Sequence, residues 1–117
     1  TALESYRRCL ACLKAGATSE DVLDAADVIA ERGYTINDGF LHGFGIGLLP
    51  PSIGTRQAKR GIPRPPFRFE ENMCVVVQPN VVTHDERAGV QLGNLVRITR
   101  DGAECLHQLP LQYFVTA

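Results

Sequence analysis

The sequence predicts an α+β fold in which helices come first and antiparallel strands follow. Apolar residues recur at helical spacing up to Gly33, and after Phe40 the apolar runs become short and rich in glycine or β-branched residues. Near the end, the segment from Arg100 to Ala103 is typical of a hairpin turn. With 117 residues the chain can build one core, so we predict a single domain over residues 1–117.

The first helix is predicted from Leu3, Tyr6 and Leu10, which lie on one helical face. Gly16 is a typical stop after it. Because this pattern begins with the first residues, we expect the chain to be a piece of a longer protein.

The second helix is predicted to begin at Thr18 or Ser19, which are good N-cap residues, and to end at Gly33. Glu20 and Asp21 follow in the first turn, where acids favour a helix. The acids of this segment are then expected to form a solvated face and not a metal cluster.

The strands are predicted in the remaining sequence, separated by a long loop rich in Gly, Pro and Arg up to about Glu70. Proline lacks an N–H group, so Pro50-Pro51 is expected to end the first strand. The predicted strands are Phe40 to Leu48, Met73 to Gln78, an extended Val81 to Thr83, and Ala88 to Thr99 with a break at Gly93-Asn94.

Cys9 and Cys12 have the C-x-x-C spacing of a redox pair or half a zinc site. No second pair or nearby histidine completes four ligands, so buried or half-buried thiols in a reducing compartment are the favoured reading. We therefore expect a cytoplasmic protein. No apolar run approaches the roughly 20 residues of a membrane span, so no membrane partner is expected.

Charge is distributed unevenly along a chain whose net charge is -1. The segment from Arg56 to Arg68 carries basic residues and no acid, whereas Glu20 to Glu31 carries acids and no base. The basic segment is either a solvated loop or a site for a phosphate or a partner. The net charge gives no general attraction to nucleic acid, and none is expected as a partner.

A glycine-rich stretch from Phe40 to Pro51 contains three glycines at alternate positions behind His42. Glycine weakens a strand unless a backbone or a ligand must approach closely, so this stretch is the first candidate for a site.

The same stretch resembles the Gly-His-Gly-Ile-Gly…His-Glu-x-Pro segment of the pita-bread metallopeptidases. This family includes methionine aminopeptidases, Xaa-Pro aminopeptidases, prolidases and the non-peptidase creatinases. Two later stretches, Glu71 to Asn80 and Gly89 to Thr99, are similar to further family motifs in the same order. The resemblance covers the second half of the family's catalytic domain and implies half of a pita-bread fold, with two helices on a curved, mainly antiparallel sheet.

The resemblance implies a site for two divalent metals, such as Mn, Co or Zn, held by two aspartates of the first half, one histidine and two glutamates. His42 falls on the histidine, Gln78 on the first glutamate and Gly93 on the second. A neutral amide and a glycine cannot supply the charge that holds a metal pair. We therefore expect no metal and no other cofactor, with His42 as a vestigial ligand.

Accessory positions of the family motif also differ. Leu49 replaces its second histidine and Pro50 the following glutamate, while Gln91 replaces an arginine and Asn94 an aspartate. No intact catalytic residue is expected. The old pocket is expected to be lined by Gly43, Gly45, Gln78, Asn80, Gln91 and Asn94.

Structural explanations remain open for these residues. His42 could be a hydrogen-bonded core residue, and Gln78 and Asn94 could be amides that satisfy each other or the backbone. His84 and His107 are assigned no role.

Three functions are compatible with the sequence. The preferred hypothesis is a non-catalytic family member that binds a peptide or a protein. The first alternative is a metal-dependent Xaa-Pro dipeptidase or aminopeptidase whose site is completed by the N-terminal half of the parent protein. The second is a structural module that dimerises with another copy of the chain.

Overall fold

The computed structural model describes residues 1–58 and 61–112, so Lys59, Arg60 and residues 113–117 lie outside the described part. The helices are α1 (Ala2–Cys12), α2 (Ser19–Ala26) and α3 (Val28–Glu31). The strands are β1 (Thr35–Ile36), β2 (Leu41–Gly45), β3 (Gly47–Ile53), β4 (Cys74–Val77), β5 (Asn80–Val82), β6 (Gly89–Gln91), β7 (Asn94–Ile98) and β8 (Ala103–Cys105). The prediction of an α+β fold is confirmed.

The start of α2 has the cap that its sequence predicts. The backbone N–H of Thr18 donates to Oδ2 of Asp21 over 2.7 Å, and the Thr18 hydroxyl lies 2.9 Å from the same oxygen. These hydrogen bonds lower the pKa of Asp21, because they favour its charged form. The cap fixes where the chain turns back after α1.

The second predicted helix is divided at Asp27. The N–H of Asp27 is shared between the carbonyl oxygens of Leu23 and Asp24, at 3.1 and 3.3 Å, and α3 follows directly. Gly33 ends this segment with a positive φ of 78°, in the left-handed region that favours glycine. The predicted end at Gly33 is therefore correct, whereas the division of the helix at Asp27 was not predicted.

A five-stranded antiparallel sheet forms the centre of the molecule, in the order β3-β2-β4-β7-β8. We call its two sides the covered face and the open face. Leu41 on β2 lies opposite Val77 on β4, and Val75 lies opposite Val96 on β7. These side chains are at most 1% exposed and belong to the same core as the helices. They define the covered face.

A second, three-stranded sheet has the order β1-β5-β6. Asn80 at the start of β5 is 3% exposed and ties this sheet to the segment before β2. Its Oδ1 accepts hydrogen bonds from the backbone N–H groups of Asn37 and Asp38, and its Nδ2 donates to the carbonyl of Gly39 over 2.8 Å. One buried amide therefore fixes the chain that leads into β2.

The prediction of one strand from Phe40 to Leu48 is wrong. The chain turns at Ile46, and β2 and β3 form a hairpin in which Gly45 lies opposite Gly47. Gly47 has a φ of 93°, which a side chain would disfavour.

The prediction that Pro50-Pro51 ends the strand is also wrong, because β3 continues through both prolines to Ile53. β3 is an outer strand of its sheet, where a missing N–H need not break a ladder bond.

A bulge in β3 explains one glycine of the predicted site. The register of the hairpin shifts between His42 and Gly43. A Cβ on Gly43 would overlap the carbonyl oxygen of Pro50 and lie 2.8 Å from that of Leu49. Position 43 therefore requires glycine, because the backbone of β3 comes too close for a side chain.

The basic segment lies against the helices. Arg56 contacts Glu20 at 2.7 Å, Asp24 at 2.9 Å and Asp27 at 3.0 Å, so its charge is neutralised by the acids of α2 and its C-cap. Arg68 donates to the carbonyl of Gly16 over 2.7 Å. These two basic side chains are therefore held by contacts within the chain.

The four cysteines are free thiols. Cys9 is fully buried, and burial together with Cys12 raises its pKa. Among the described residues, no helix is long and apolar enough to cross a membrane.

Candidate functional site

Three neighbouring strands place His42 on the open face of the sheet. His42 lies opposite Val76, and Val76 lies opposite Leu95, so the three residues form one row across β2, β4 and β7. All three side chains are half-buried. His42 is therefore not a residue of the covered core, although apolar residues surround it in the sequence.

One ring nitrogen of His42 already has a partner. Nδ1 lies 3.0 Å from the carbonyl oxygen of Gly43, which can only accept a hydrogen bond. This contact requires the proton on Nδ1, so the lone pair of the neutral ring is on Nε2. Nε2 is thus the atom that could contact a ligand.

Gln78 follows β4 and lies on the same side as His42. Strand alternation places residues 76 and 78 on one face, and the backbone N–H of Gln78 donates to the carbonyl of Phe40 over 2.8 Å. The side chain of Gln78 lines a cavity with His42. The structure therefore brings these two predicted residues together.

Gly93 occupies a crowded position between β6 and β7. A Cβ there would lie 2.5 Å from the carbonyl oxygen of Val77 and 2.9 Å from Cα of Gln78. Real Cβ atoms do not approach backbone atoms so closely, so no other residue fits this backbone without movement. Gly93 is near Gln78, as predicted, and the fold has closed over the space that a side chain would need.

Two cavities meet at Gln78 and together form what we call the groove. The first has a volume of about 510 Å³ and contains His42, Leu48, Leu49 and Pro50 in its lining. The second has a volume of about 430 Å³ and is lined mainly by apolar side chains and amides, namely Phe44, Val76, Gln78, Gln91, Leu92, Gly93, Asn94 and Leu95, together with His107.

The other predicted pocket residues have different positions. Gln91 is exposed and lines the second cavity. Gly43 is buried beneath the bulge of β3, and Gly45 is exposed at the hairpin turn. Asn80 is the buried amide that holds the segment before β2. Leu49 is 47% exposed and lies in the first cavity.

Asn94 and Gln78 do not satisfy each other. Asn94 lies opposite Val77, which places its side chain on the covered face, and it is 5% exposed. Its Nδ2 donates to Sγ of Cys105 over 3.0 Å, and its Oδ1 has no partner in the described part of the chain. The amide of Asn94 is therefore a buried polar group behind the groove.

Three polar residues of the groove were not predicted. Asp38 and Ser52 line the first cavity, and His107 lines the second. Ser52 lies directly opposite His42, a pairing that depends on the bulge in β3. The bulge has no sequence signature, whereas Asn37-Asp38-Gly39 is a recognisable turn sequence that could have drawn attention to Asp38.

Asp38, His42 and Ser52 do not form a nucleophilic triad. A triad needs the hydroxyl bonded to the imidazole and the imidazole bonded to the acid. Here Nδ1 of His42 contacts a backbone carbonyl, and Oδ1 of Asp38 accepts the N–H of Gly39 over 2.7 Å. In the described contacts Ser52 makes no hydrogen bond with His42, so its hydroxyl is not activated.

The sequence pattern of the metallopeptidase family M24 matches residues 1–100. The chain belongs to family M24. A search of curated protein sequences found no match.

Solved structures of aminopeptidases and dipeptidases are similar to this M24 chain. The X-Pro aminopeptidase from Thermotoga maritima MSB8 is 27% identical, with a TM-score of 0.78 over 98% of this chain and 31% of that chain. The Xaa-Pro dipeptidase from Bacillus anthracis is 24% identical, with a TM-score of 0.74 over 95% of this chain and 30% of that chain. For the methionine aminopeptidase from Rickettsia prowazekii the identity is 21%, the TM-score 0.68, and the coverage 89% and 48%.

These similarities confirm the half pita-bread fold predicted from the sequence motifs. The chain spans about a third of the length of the first two relatives, and about half of the third. Family membership and fold are therefore established for the part of the domain that this chain represents.

Family membership corrects the prediction that no cofactor belongs with this chain. M24 is a metallopeptidase family, and its aminopeptidase members normally use divalent metals. A divalent metal is therefore the cofactor that the family implies, and the earlier prediction was wrong to exclude it.

The residues of this chain do not fit a pair of such ions. At the three matched positions they supply one imidazole, one neutral amide and a glycine whose backbone leaves no room for a carboxylate. Among residues 1–58 and 61–112, no group of three or more His, Cys, Asp or Glu side chains is placed to hold a metal ion.

Proposed function

We propose that this M24 domain binds peptides in the groove of the open face and does not hydrolyse them with its own residues. The observation that carries the proposal is the crowded backbone at Gly93, beside an amide at Gln78. Hydrolysis by the family's chemistry requires carboxylates at such positions, to hold metals and to transfer protons. The groove itself remains, with an apolar lining and a few amides.

The geometry of the groove supports a peptide as the ligand. Its two cavities of about 510 and 430 Å³ are each of the size that accommodates a small ligand or a few side chains. Gln78 stands between them with an amide that can both donate and accept, as a peptide bond requires. An extended peptide can therefore place one side chain in each cavity and a backbone amide at Gln78.

The apolar wall of the first cavity supplies affinity in this proposal. Leu48 lies opposite Phe44 on the open face and is 76% exposed, which leaves apolar area for a ligand to cover. Burying such area contributes about 25 cal/mol per Å² before the costs of association. The wall is formed by the bulged strand β3, which is held by its pairing with β2.

The test is a binding and hydrolysis experiment on the chain as it exists. Calorimetric titration with short Xaa-Pro and Met-Xaa peptides measures binding, and chromatography of the same mixtures measures cleavage in buffers with Mn²⁺, Co²⁺ or Zn²⁺. We expect binding without cleavage. Leu48→Ala is expected to weaken binding several-fold by removing part of the wall.

Leu109→Ala is the matched control, since Leu109 is an exposed leucine outside the linings of both cavities. Equal effects of the two substitutions would contradict binding in the groove. Cleavage that depends on a metal and is lost in His42→Ala would contradict the absence of hydrolysis.

The alternative of an enzyme completed by another half is favoured by the position of His42. His42 lies on the open face and falls on the family's histidine position, and the X-Pro aminopeptidase similarity covers 31% of that chain. This alternative predicts cleavage only after the remaining part of the domain is supplied. Dimerisation with a second copy stays a prediction from sequence.

A further inference from the structure

Asp38 is an exposed acidic residue in the lining of the groove. It lines the first cavity with His42 and the apolar wall of β3. No lysine or arginine of the described residues forms an ion pair with it, and the described linings of both cavities contain no other acid and no Lys or Arg. Asp38 is therefore the feature that sets the charge of the groove.

The position of Asp38 is fixed by a buried amide. The N–H of Asp38 donates to Oδ1 of Asn80 over 3.0 Å, and Nδ2 of Asn80 holds the carbonyl of the next residue, Gly39, at 2.8 Å. Oδ1 of Asp38 accepts the N–H of Gly39, a bond that fixes the orientation of the carboxylate. Since Asn80 is 3% exposed, this arrangement is part of the core and precedes any ligand.

The surroundings of Asp38 combine this charge with exposed apolar area. Leu48, Leu49 and Pro50 line the same cavity, and none of them carries a polar side-chain atom. Lysine and arginine side chains match such a surface, because their aliphatic stems pack on apolar area while the charged head stays near water. A carboxylate at the exposed end of the cavity is the complementary partner for that head.

We propose that the groove selects peptides that carry a lysine or arginine side chain, with the stem on Leu48 and the head at Asp38. This inference rests on the proposed function, since it specifies which peptides the groove binds. Asp38 acts as a specificity residue, and Asn80 acts through it as a positioning residue. Charge complementarity, and not a metal, sets the preference.

The experiment uses peptides whose only difference is one charge. Fluorescence anisotropy is measured with acetyl- and amide-capped peptides of the pattern Leu-Pro-Lys and Leu-Pro-Gln, labelled at the same distant position. An exposed ion pair contributes up to about 1 kcal/mol, so we expect the chain to prefer the lysine peptide by about threefold to fivefold at low salt. The preference is expected to shrink as NaCl is added.

Substitutions at Asp38 separate charge from structure. Asp38→Asn keeps an oxygen for the N–H of Gly39, and we expect it to bind both peptides equally. Asp38→Lys is expected to prefer a glutamate peptide. Asp101→Asn removes the same charge at an exposed turn near the other end of β7, and we expect it to keep the preference of the unmodified chain.

The outcomes distinguish the role of Asp38 from peptide binding itself. If the lysine and glutamine peptides bind the unmodified chain equally, the role of Asp38 is wrong while peptide binding stands. If an uncapped glutamine peptide binds as well as the capped lysine peptide, Asp38 recognises a terminal ammonium group, which also overturns the proposal. If no peptide binds at any salt concentration, the proposed function itself fails.

Discussion

The covered and open faces of the five-stranded sheet are built from alternate residues of the same strands. On β2, Leu41 is fully buried while its neighbour His42 is half-buried, and on β4 the same alternation separates Val77 from Val76. The covered face is mainly aliphatic and belongs to the same core as the helices, with Asn94 as a buried amide at its edge. The open face carries an imidazole, amides and exposed apolar groups.

This difference separates the positions that build the fold from those that line the groove. Burial constrains the covered face, because each lost methylene there leaves a cavity or exposes core. Residues of the open face, such as His42 and Gln78, contribute little to the core and can be exchanged at small cost. Alternate positions along one strand therefore contribute to the core and to the lining of the groove.

The largest expected difference is tested by replacing two neighbouring residues of β2 by alanine, one on each face. Leu41→Ala is expected to lower the free energy of unfolding by about 2–5 kcal/mol, because it removes a fully buried side chain. His42→Ala is expected to change it by less than about 1 kcal/mol, because the ring is half-buried and makes one hydrogen bond. Urea denaturation of both variants measures the two values.

Similar losses in the two variants would contradict the division of the sheet into two faces. Val76→Ala provides the control for lost apolar area on the open face, and its loss is expected to lie between the two values.

Gly93 is the expected exception on the open face. Gly93→Ala places a Cβ against the carbonyl of Val77, so we expect a loss of about 1–3 kcal/mol, measured as a lower urea midpoint. Gly102→Ala is the matched control, because a Cβ at Gly102 meets nothing within 4 Å. It is expected to have little effect.

An unchanged midpoint for Gly93→Ala would show that the backbone between β6 and β7 moves easily. In that case a carboxylate could be accommodated at position 93, beside Gln78.

The smallest expected effect concerns the ion pairs of Arg56 with the acids of α2 and its C-cap. Arg56→Met leaves the carboxylates of Glu20, Asp24 and Asp27 without their shared cation. We expect a loss of about 1 kcal/mol at low salt, since the pairs are partly exposed and screened. The difference from the unmodified chain should decrease as NaCl is raised, because salt also screens the repulsion among the acids.

Arg100→Met is the control, because Arg100 is exposed and forms no ion pair among the described residues. A loss for Arg56→Met that does not depend on salt would indicate that its aliphatic stem, and not its charge, stabilises the loop.

The helices and several strands could be predicted along the chain because burial leaves a periodic pattern. Tyr6 and Cys9 in α1 and Val22 in α2 are buried at helical spacing, and the run from Cys74 to Val77 forms a central strand. His42 and Gln78 could be placed near each other through the family motifs. Each of these inferences depends on residues that are close in sequence or on a recognisable motif.

The hairpin of β2 and β3 and part of the first cavity could not be predicted in the same way. A turn at Ile46 inside an alternating glycine pattern has no distinct signature, and the bulge at Pro50 decides which residue lies opposite His42. Ser52 and Asp38 reach the groove through this register and through the contacts of Asn80. Such positions depend on tertiary packing and not on local sequence preference.

The two prolines of β3 affect how the protein behaves at high concentration. β3 is an outer strand, and the adjacent Ile46 is fully exposed. Such an edge ordinarily pairs with strands of other molecules and can lead to fibrils. Proline has no N–H group, so neither Pro50 nor Pro51 can donate a backbone hydrogen bond to an incoming strand. The edge of β3 is therefore a poor template for further strands, although the hairpin exposes apolar side chains.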